Sequence, residues 1–204
     1  MRIRHPPGRG GRLWLADRLG TAARAADLLE QKERVLARER RRLVALEHST
    51  SVAWEQAWRE SQLWIARAVT LRGRRAIALA TPREVASVDL SWHNSMGAFY
   101  PAAATCRLPG ELMRTGELAG TAAMTHAARS HGNALECAVQ HAATLRAVRE
   151  VERELRTTRH RLRMLRRQWI PSLRSSLQAV DIELEERERD DVMQARLAHS
   201  RGST

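Results

Sequence analysis

Apolar side chains recur along this chain at helical rather than strand spacing. Leu15, Ala22, Leu29, Leu36, Leu43, Ala57, Trp64 and Leu71, joined by Thr50, fall on one seven-residue register. Leu19, Ala26, Trp54 and Ala68 share the position four residues on, which also carries Glu33, Arg40 and Glu47. A seven-residue repeat sustained this long predicts a coiled-coil helix over 12–72, its seam imperfect at the three charged positions. A second pattern runs through Ala138, Leu145, Val148, Leu155, Leu162, Leu165, Trp169, Leu173, Leu177, Val180 and Leu184. Asn133 and Glu136 have the spacing of a capping box, which predicts a second helix over 133–198. Pairs at i,i+4, Glu152 with Arg156, Glu183 with Arg187 and Glu185 with Arg189, support its solvated side.

Each stretch would be roughly 90 to 100 Å long at 1.5 Å per residue, and the natural mate of one is the other. If the first ends near Arg72 where the second begins near Asn133, facing residues have numbers totalling about 205, by equal rise in both helices. Leu36 then lies near Trp169 and Leu43 near Leu162.

Pro171 interrupts the second pattern, and an interior proline loses a backbone hydrogen bond and crowds the preceding turn. Around it Leu165, Trp169, Leu173 and Leu177 are four apart before the three-four alternation resumes. That spacing predicts a local stutter that unwinds the supercoil, with partner packing carrying the helix through.

The segment 73–132 is different in kind. Val88, Leu90 and Trp92 alternate as in a short strand, and Pro101 and the Pro109-Gly110 pair punctuate the residues beyond it. It reads as a small hairpin-bearing cap with a short helix around Glu117 to Arg129. Residues 1–11 read as a flexible basic tail and 199–204 as a second tail. The fold class is all-α dominated: a long antiparallel two-helix coiled coil with the cap between the helices.

Composition agrees, with 28% charged and only 4% aromatic residues, the balance of long helices rather than a thick globular core. The net charge of +12 comes from arginine, Lys32 being the single lysine. Cys106 and Cys137 offer no disulfide framework, which favours a reducing, cytoplasmic setting. No apolar run approaches the roughly 18 residues that span a bilayer, and the first twenty residues hold no continuous apolar segment that could serve as a signal peptide.

Candidate chemistry is sparse. The PGRGGR stretch lacks the Lys-Ser/Thr of a phosphate-binding loop and follows no strand. Cys137 and His141, one helical turn apart and near His126 and His131, could reach one metal ion, but no standard ligand spacing is completed; ordinary surface and seam roles are the better reading. There is no nucleophile elbow and no zinc-protease motif, and the acidic clusters are interleaved with arginines as on a solvated face. The sequence therefore predicts no catalytic residues, no cofactor and no bound metal. Six tryptophans could stack on nucleic acid bases, yet Trp54, Trp64 and Trp169 lie on the apolar stripes, where packing is the simpler role.

Three stretches together resemble the D subunit of V-type and archaeal-type rotary ATPases. Leu19 to Leu43 is similar to the family's first helix, with Leu28, Leu29 and Lys32 at its core. NSMGAFYP resembles a middle motif at Asn94, Met96, Gly97 and Pro101. The third is similar to a C-terminal motif at Ile170, Pro171, Leu173, Glu185, Glu186, Arg187, Glu188 and Arg189. The resemblance implies a non-catalytic central-stalk subunit whose coiled coil enters the headpiece of catalytic and regulatory subunits. Its globular region, with other central-stalk subunits, would connect to the membrane rotor ring, so that the chain carries torque and lies peripheral to the membrane. It also implies that the motif residues meet partners.

From the charge pattern, the 205 total sets Lys32–Arg42 beside Arg163–Arg174, a basic collar in which Arg38, Arg41, Arg163 and Arg167 would meet acidic partner groups. The competing reading is a basic coiled-coil scaffold binding nucleic acid or another acidic partner, and a third is a metalloenzyme using the His/Cys cluster. Under the stalk reading no specific nucleic acid and no small-molecule substrate is expected.

Overall fold

A computed structural model describes residues 3–81, 84–109 and 121–202, with side chains described as far as residue 196. Helix α1 spans Gly8–Ala80. A hairpin comes next, β1 (Ser87–Ser95) paired antiparallel with β2 (Ala98–Arg107). Helix α2 (Ala122–Met164) passes through a π-helical turn at Leu165–Trp169 into α3 (Ile170–Gly202). The part of the expected short helix at 117–120 lies outside the described residues; 122–129 belongs to α2.

The chain divides into two compact units, Met1–Arg34 with Arg156–Thr204, and Val35–Leu155. In the first, Leu15 and Ala22 of α1 are buried with Leu173 and Val180 of α3, and Leu19, Leu165, Ile170, Leu177 and Leu184 pack around them. In the second, Leu36 and Leu43 of α1 meet Ala147, Val151 and Leu155 of α2 together with Ala98 and Tyr100 of the hairpin. A further cluster in that unit joins Ala68 to Met124 and Ala127. Five members of the first heptad register, Leu15, Ala22, Leu36, Leu43 and Ala57, are thus buried. Leu71, at its end, is 66% exposed.

Two of the three charged residues on the second register are matched across the helices. Glu33 accepts from Arg159 at 2.8 Å in the first unit, and Arg40 donates to Glu152 at 2.7 Å in the second. Such half-exposed pairs each contribute about 0 to 1 kcal/mol, so burial supplies most of the stability and the ion pairs select the register.

That register differs from the expected one. Glu33–Arg159, Arg40–Glu152 and the hydrogen-bonded Ser61–His131 each total 192, not 205. Leu36 accordingly packs with Leu155 and its neighbours, not with Trp169. The straight run of α1 does end near Arg72, because Gly73 (φ 77°, ψ 162°) breaks the helical backbone. The difference arises at the other helix, which starts at Ala122 instead of Asn133. Gly132 and Asn133 are weak helix formers locally, but Met124 and Ala127 pack on Ala68, and Ala134 is buried too. Tertiary burial carries the helix through both. Asn133 sits inside α2, with the Cys137 thiol 4.0 Å from its Oδ1.

Candidate functional site

The hairpin is built around a tight turn. Ser95 pairs with Ala98, leaving Met96 (φ 51°) and Gly97 (φ 85°) as a two-residue connection. Two consecutive positive φ values define a type I′ turn, whose twist matches that of the strands. Gly97 meets this at no steric cost, whereas Met96 does not. The Asn94 side-chain oxygen accepts the Gly97 N–H at 3.0 Å and fastens the turn, and Pro101 is buried beside a register irregularity at Ser91/Trp92. Of this motif, then, Asn94, Gly97 and Pro101 shape the hairpin, while Met96 projects from its tip, 47% exposed.

The hairpin is anchored by a residue that the motif contains but sequence reasoning passed over. Tyr100 is fully buried, and its hydroxyl donates to Glu39 Oε1 at 2.6 Å. Arg42 donates to the same carboxylate from Nη2 at 2.6 Å and from Nε at 3.1 Å. These Arg42 bonds first, with the Tyr100 bond assisting against burial, hold the Glu39 carboxyl below its ordinary range. Burial, reinforced by the anionic Glu39, pushes the Tyr100 phenol up to about 12. A Tyr a little beyond a strand-like alternation carries no signal for such a role. Across the sheet, Trp92 and Phe99 stack at 4.9 Å with both rings about half exposed.

The histidines and Cys137 do not converge. His126 stacks on Trp64 at 4.4 Å, His131 bonds to Ser61 at 3.3 Å, and His141 stacks on Trp54 at 5.5 Å and meets Thr50. Each is used in a separate layer between α1 and α2. Among the described residues no group of three His, Cys, Asp or Glu side chains could hold a metal ion. Trp54 and Trp64 thus serve packing, and Trp169 is 37% exposed in the π-helical turn.

The basic residues fall differently from the expected collar. Arg166 pairs with Glu30 at 2.6 Å and Arg40 with Glu152, so the 205 total from which the collar was drawn does not hold. Arg38 and Arg41 are exposed on α1. Arg163 is exposed beside Arg156, Arg159, Glu33 and Leu162 around a shallow recess, and Arg167 is exposed within the π-helical turn. On α3, Ile170 packs on the buried cluster and Pro171 is exposed. Glu188 pairs with Arg9 at 3.0 Å, Arg187 with Glu183, and Arg189 with Glu185 at 3.9 Å. Among the described residues no helix is long and apolar enough to cross a membrane.

Residues 13–200 match the family model for the D subunit of ATP synthase. The D subunit of the V-type ATP synthase of Anaeromyxobacter sp. (strain Fw109-5) is 28% identical over 207 residues, covering 97% of this chain and 94% of that protein. The D subunit of the A-type ATP synthase of Halobacterium salinarum (strain ATCC 29341 / DSM 671 / R1) is 26% identical over 190 residues, covering 91% and 85%. With helical architecture, motif order and a match over most of its length in agreement, the chain belongs to the ATP synthase D-subunit family of non-catalytic subunits.

Proposed function

We propose that this chain is the central shaft of a V/A-type rotary ATP synthase, transmitting torque between the catalytic headpiece and the membrane ion-translocating ring. The observation that supports it most directly is the double fastening of α1 to its partner helices. A buried heptad seam runs beside cross-helix ion pairs at Arg12–Asp181, Glu30–Arg166, Glu33–Arg159 and Arg40–Glu152. A shaft must resist twist, and two helices joined by a seam resist it better than one. Its surface must also turn within a bearing, a role suited by the charged side chains spread along the exposed faces of its helices. The same pairs disfavour the nucleic-acid scaffold, because they commit to intramolecular carboxylates arginines that a phosphate-binding surface would present.

Partner contacts in this reading fall to the exposed basic residues Arg38 and Arg41, Arg163 and Arg167, to the hairpin tip around Asn94, Met96, Gly97 and Pro101, and to Ile170, Pro171, Glu185, Arg187, Glu188 and Arg189 on α3. Reconstitution with purified catalytic, regulatory and stalk subunits tests it. The isolated chain shows no ATPase activity, and rotation of a bead attached to it accompanies ATP turnover of the assembly. Reversal of Arg163 and Arg167 to Glu weakens assembly in a salt-dependent way. An assembly that turns over ATP while the bead stays still would defeat the shaft reading.

A further inference from the structure

The apolar spacing on the second helical stretch contains one residue too many. Val151, Leu155, Thr158, Leu162, Leu165 and Trp169 alternate by four and three, and Val151, Leu155, Thr158 and Leu162 are all buried. Continued unchanged, that alternation would next reach Ser172, Ser176, Ala179 and Glu183. The seam is instead made by Leu173, Leu177, Val180 and Leu184, each one position later, with Leu173 at 0% and Val180 at 3% exposed. The opposing register on α1, through Leu15, Ala22, Leu29 and Leu36, keeps strict sevens. One strand of the pair therefore holds a residue that its mate does not match.

The backbone makes room for that residue at the same place. Leu165–Trp169 is π-helical, and the Ile170 N–H donates to the Leu165 carbonyl, five residues back. A single π turn inside an α-helix is the form one inserted residue takes when the rest of the helix stays put. The ion pairs step in the same sense: Glu33–Arg159, before the turn, totals 192, while Glu30–Arg166, Arg12–Asp181 and Arg9–Glu188 total 196, 193 and 197.

Pro171 comes directly after. It has no N–H to donate in an α ladder, and in regular helix its ring would crowd the carbonyl four residues back. A wide turn could otherwise slide along a helix, one hydrogen bond at a time. Sliding toward the C-terminus would place Pro171 in a regular α turn, so the proline obstructs it.

We propose that Leu165–Trp169 stores one surplus residue and that Pro171 pins it there, so that α3 meets α1 in phase with the end of α2. The surplus sets which face of α3 points outward, and the inference stands whether or not the chain is a rotary shaft. It means that one residue of the π turn is dispensable for pairing, whereas a residue removed from regular α3 is not.

Deletions in the full-length chain decide the point. With Cys106 and Cys137 replaced by Ser, Arg12→Cys and Asp181→Cys are joined by a short bismaleimide, and the intramolecular product is quantified on a gel. Removal of exposed Gln168 together with Pro171→Ala leaves the cross-linking yield unchanged and the melting temperature at or above that of the parent. Removal of exposed Arg174, in regular helix, abolishes the product because every later seam residue turns by about 100°. Removal of Gln168 alone keeps the pairing but melts below the Pro171→Ala double variant, since the proline then lies in a closed α turn. Pro171→Ala in the chain of natural length raises the melting temperature by less than the same change does after the deletion. Loss of cross-linking or of helicity in the double variant would overturn the surplus. An equal effect of Pro171→Ala in both backgrounds would overturn the pinning.

Discussion

Replacing Tyr100 with Phe removes one oxygen from the centre of the hairpin anchorage and leaves the ring in its core of Leu36, Leu43, Ala147, Val151 and Leu155. The lost bond is a short phenol-to-carboxylate bond of 2.6 Å, and bonds to charged groups contribute about 1.5 to 3 kcal/mol. Glu39 keeps its contacts from Arg42 and is not stranded, which places the cost between that of an ordinary and of a charged hydrogen bond, about 1 to 2 kcal/mol. In a chain of this size each kcal/mol moves the melting temperature by about 2 to 4 °C, giving a fall of about 2 to 8 °C. The pH dependence identifies the hydroxyl as the cause. Because the folded phenol is raised to about 12, its contribution is complete below the unfolded phenol's value near 10 and is lost as pH rises from about 10 toward 12. Thermal melts by circular dichroism at pH 8, 10 and 11 on both proteins therefore converge at high pH. A Phe variant that melts within a degree of the parent at pH 8, with the same alkaline slope, would refute the reasoning.

Three other expectations come from the same structure. Glu39→Gln removes a carboxyl held below its ordinary range by Arg42. Its stabilisation exists above the unfolded carboxylate range and is lost as pH falls through the lowered folded value, so acid-induced unfolding of the variant starts from a less stable protein and is shallower. Gly73→Ala meets no atom within 4 Å but must adopt φ 77°, and urea titration should give a loss of about 1 to 3 kcal/mol from backbone strain alone. Leu173→Ala empties a fully buried position of the first cluster and should cost about 2 to 5 kcal/mol in the same assay.

The first helix was legible because Leu15, Ala22, Leu36 and Leu43, all on one seven-residue register, are buried against partner helices, so the period survives translation into burial. The β1 strand was legible from Val88, Leu90 and Trp92, whereas the fastening of its turn by Asn94 emerged only from the structure. The pairing was not, because local signals at Gly132 and Asn133 mimic a helix start, and the packing of Met124 and Ala127 on Ala68 that overrides them joins residues more than fifty positions apart. An eleven-residue displacement of one helix end shifts the facing pairs by a similar amount, and the collar built on those pairs went with it. Tyr100 stayed hidden for a related reason: Glu39 and Arg42 lie 61 and 58 residues away, and nothing in AFYP points to them. The irregular spacing around Pro171 was visible as a run of fours. Its resolution as a widened turn instead of a gentle unwinding depended on backbone hydrogen bonding.

The order of the cross-helix contacts also bears on how the chain is made. Ser61–His131 spans 70 residues of sequence, Thr50–His141 spans 91, Arg40–Glu152 spans 112, Arg12–Asp181 spans 169 and Arg9–Glu188 spans 179. Each pair that closes shortens the loop left for the next, so loop-closure entropy favours zipping outward from Ser61–His131 over direct capture of the ends. On a ribosome adding about 5 to 20 residues per second, the helix around Arg9 waits about 10 to 40 s for its mate. Throughout that interval Leu15 and Ala22 have no partner surface. The residues around Leu15 are therefore made well before they are secured, and the nascent first helix is the stage at which this protein most needs protection from aggregation.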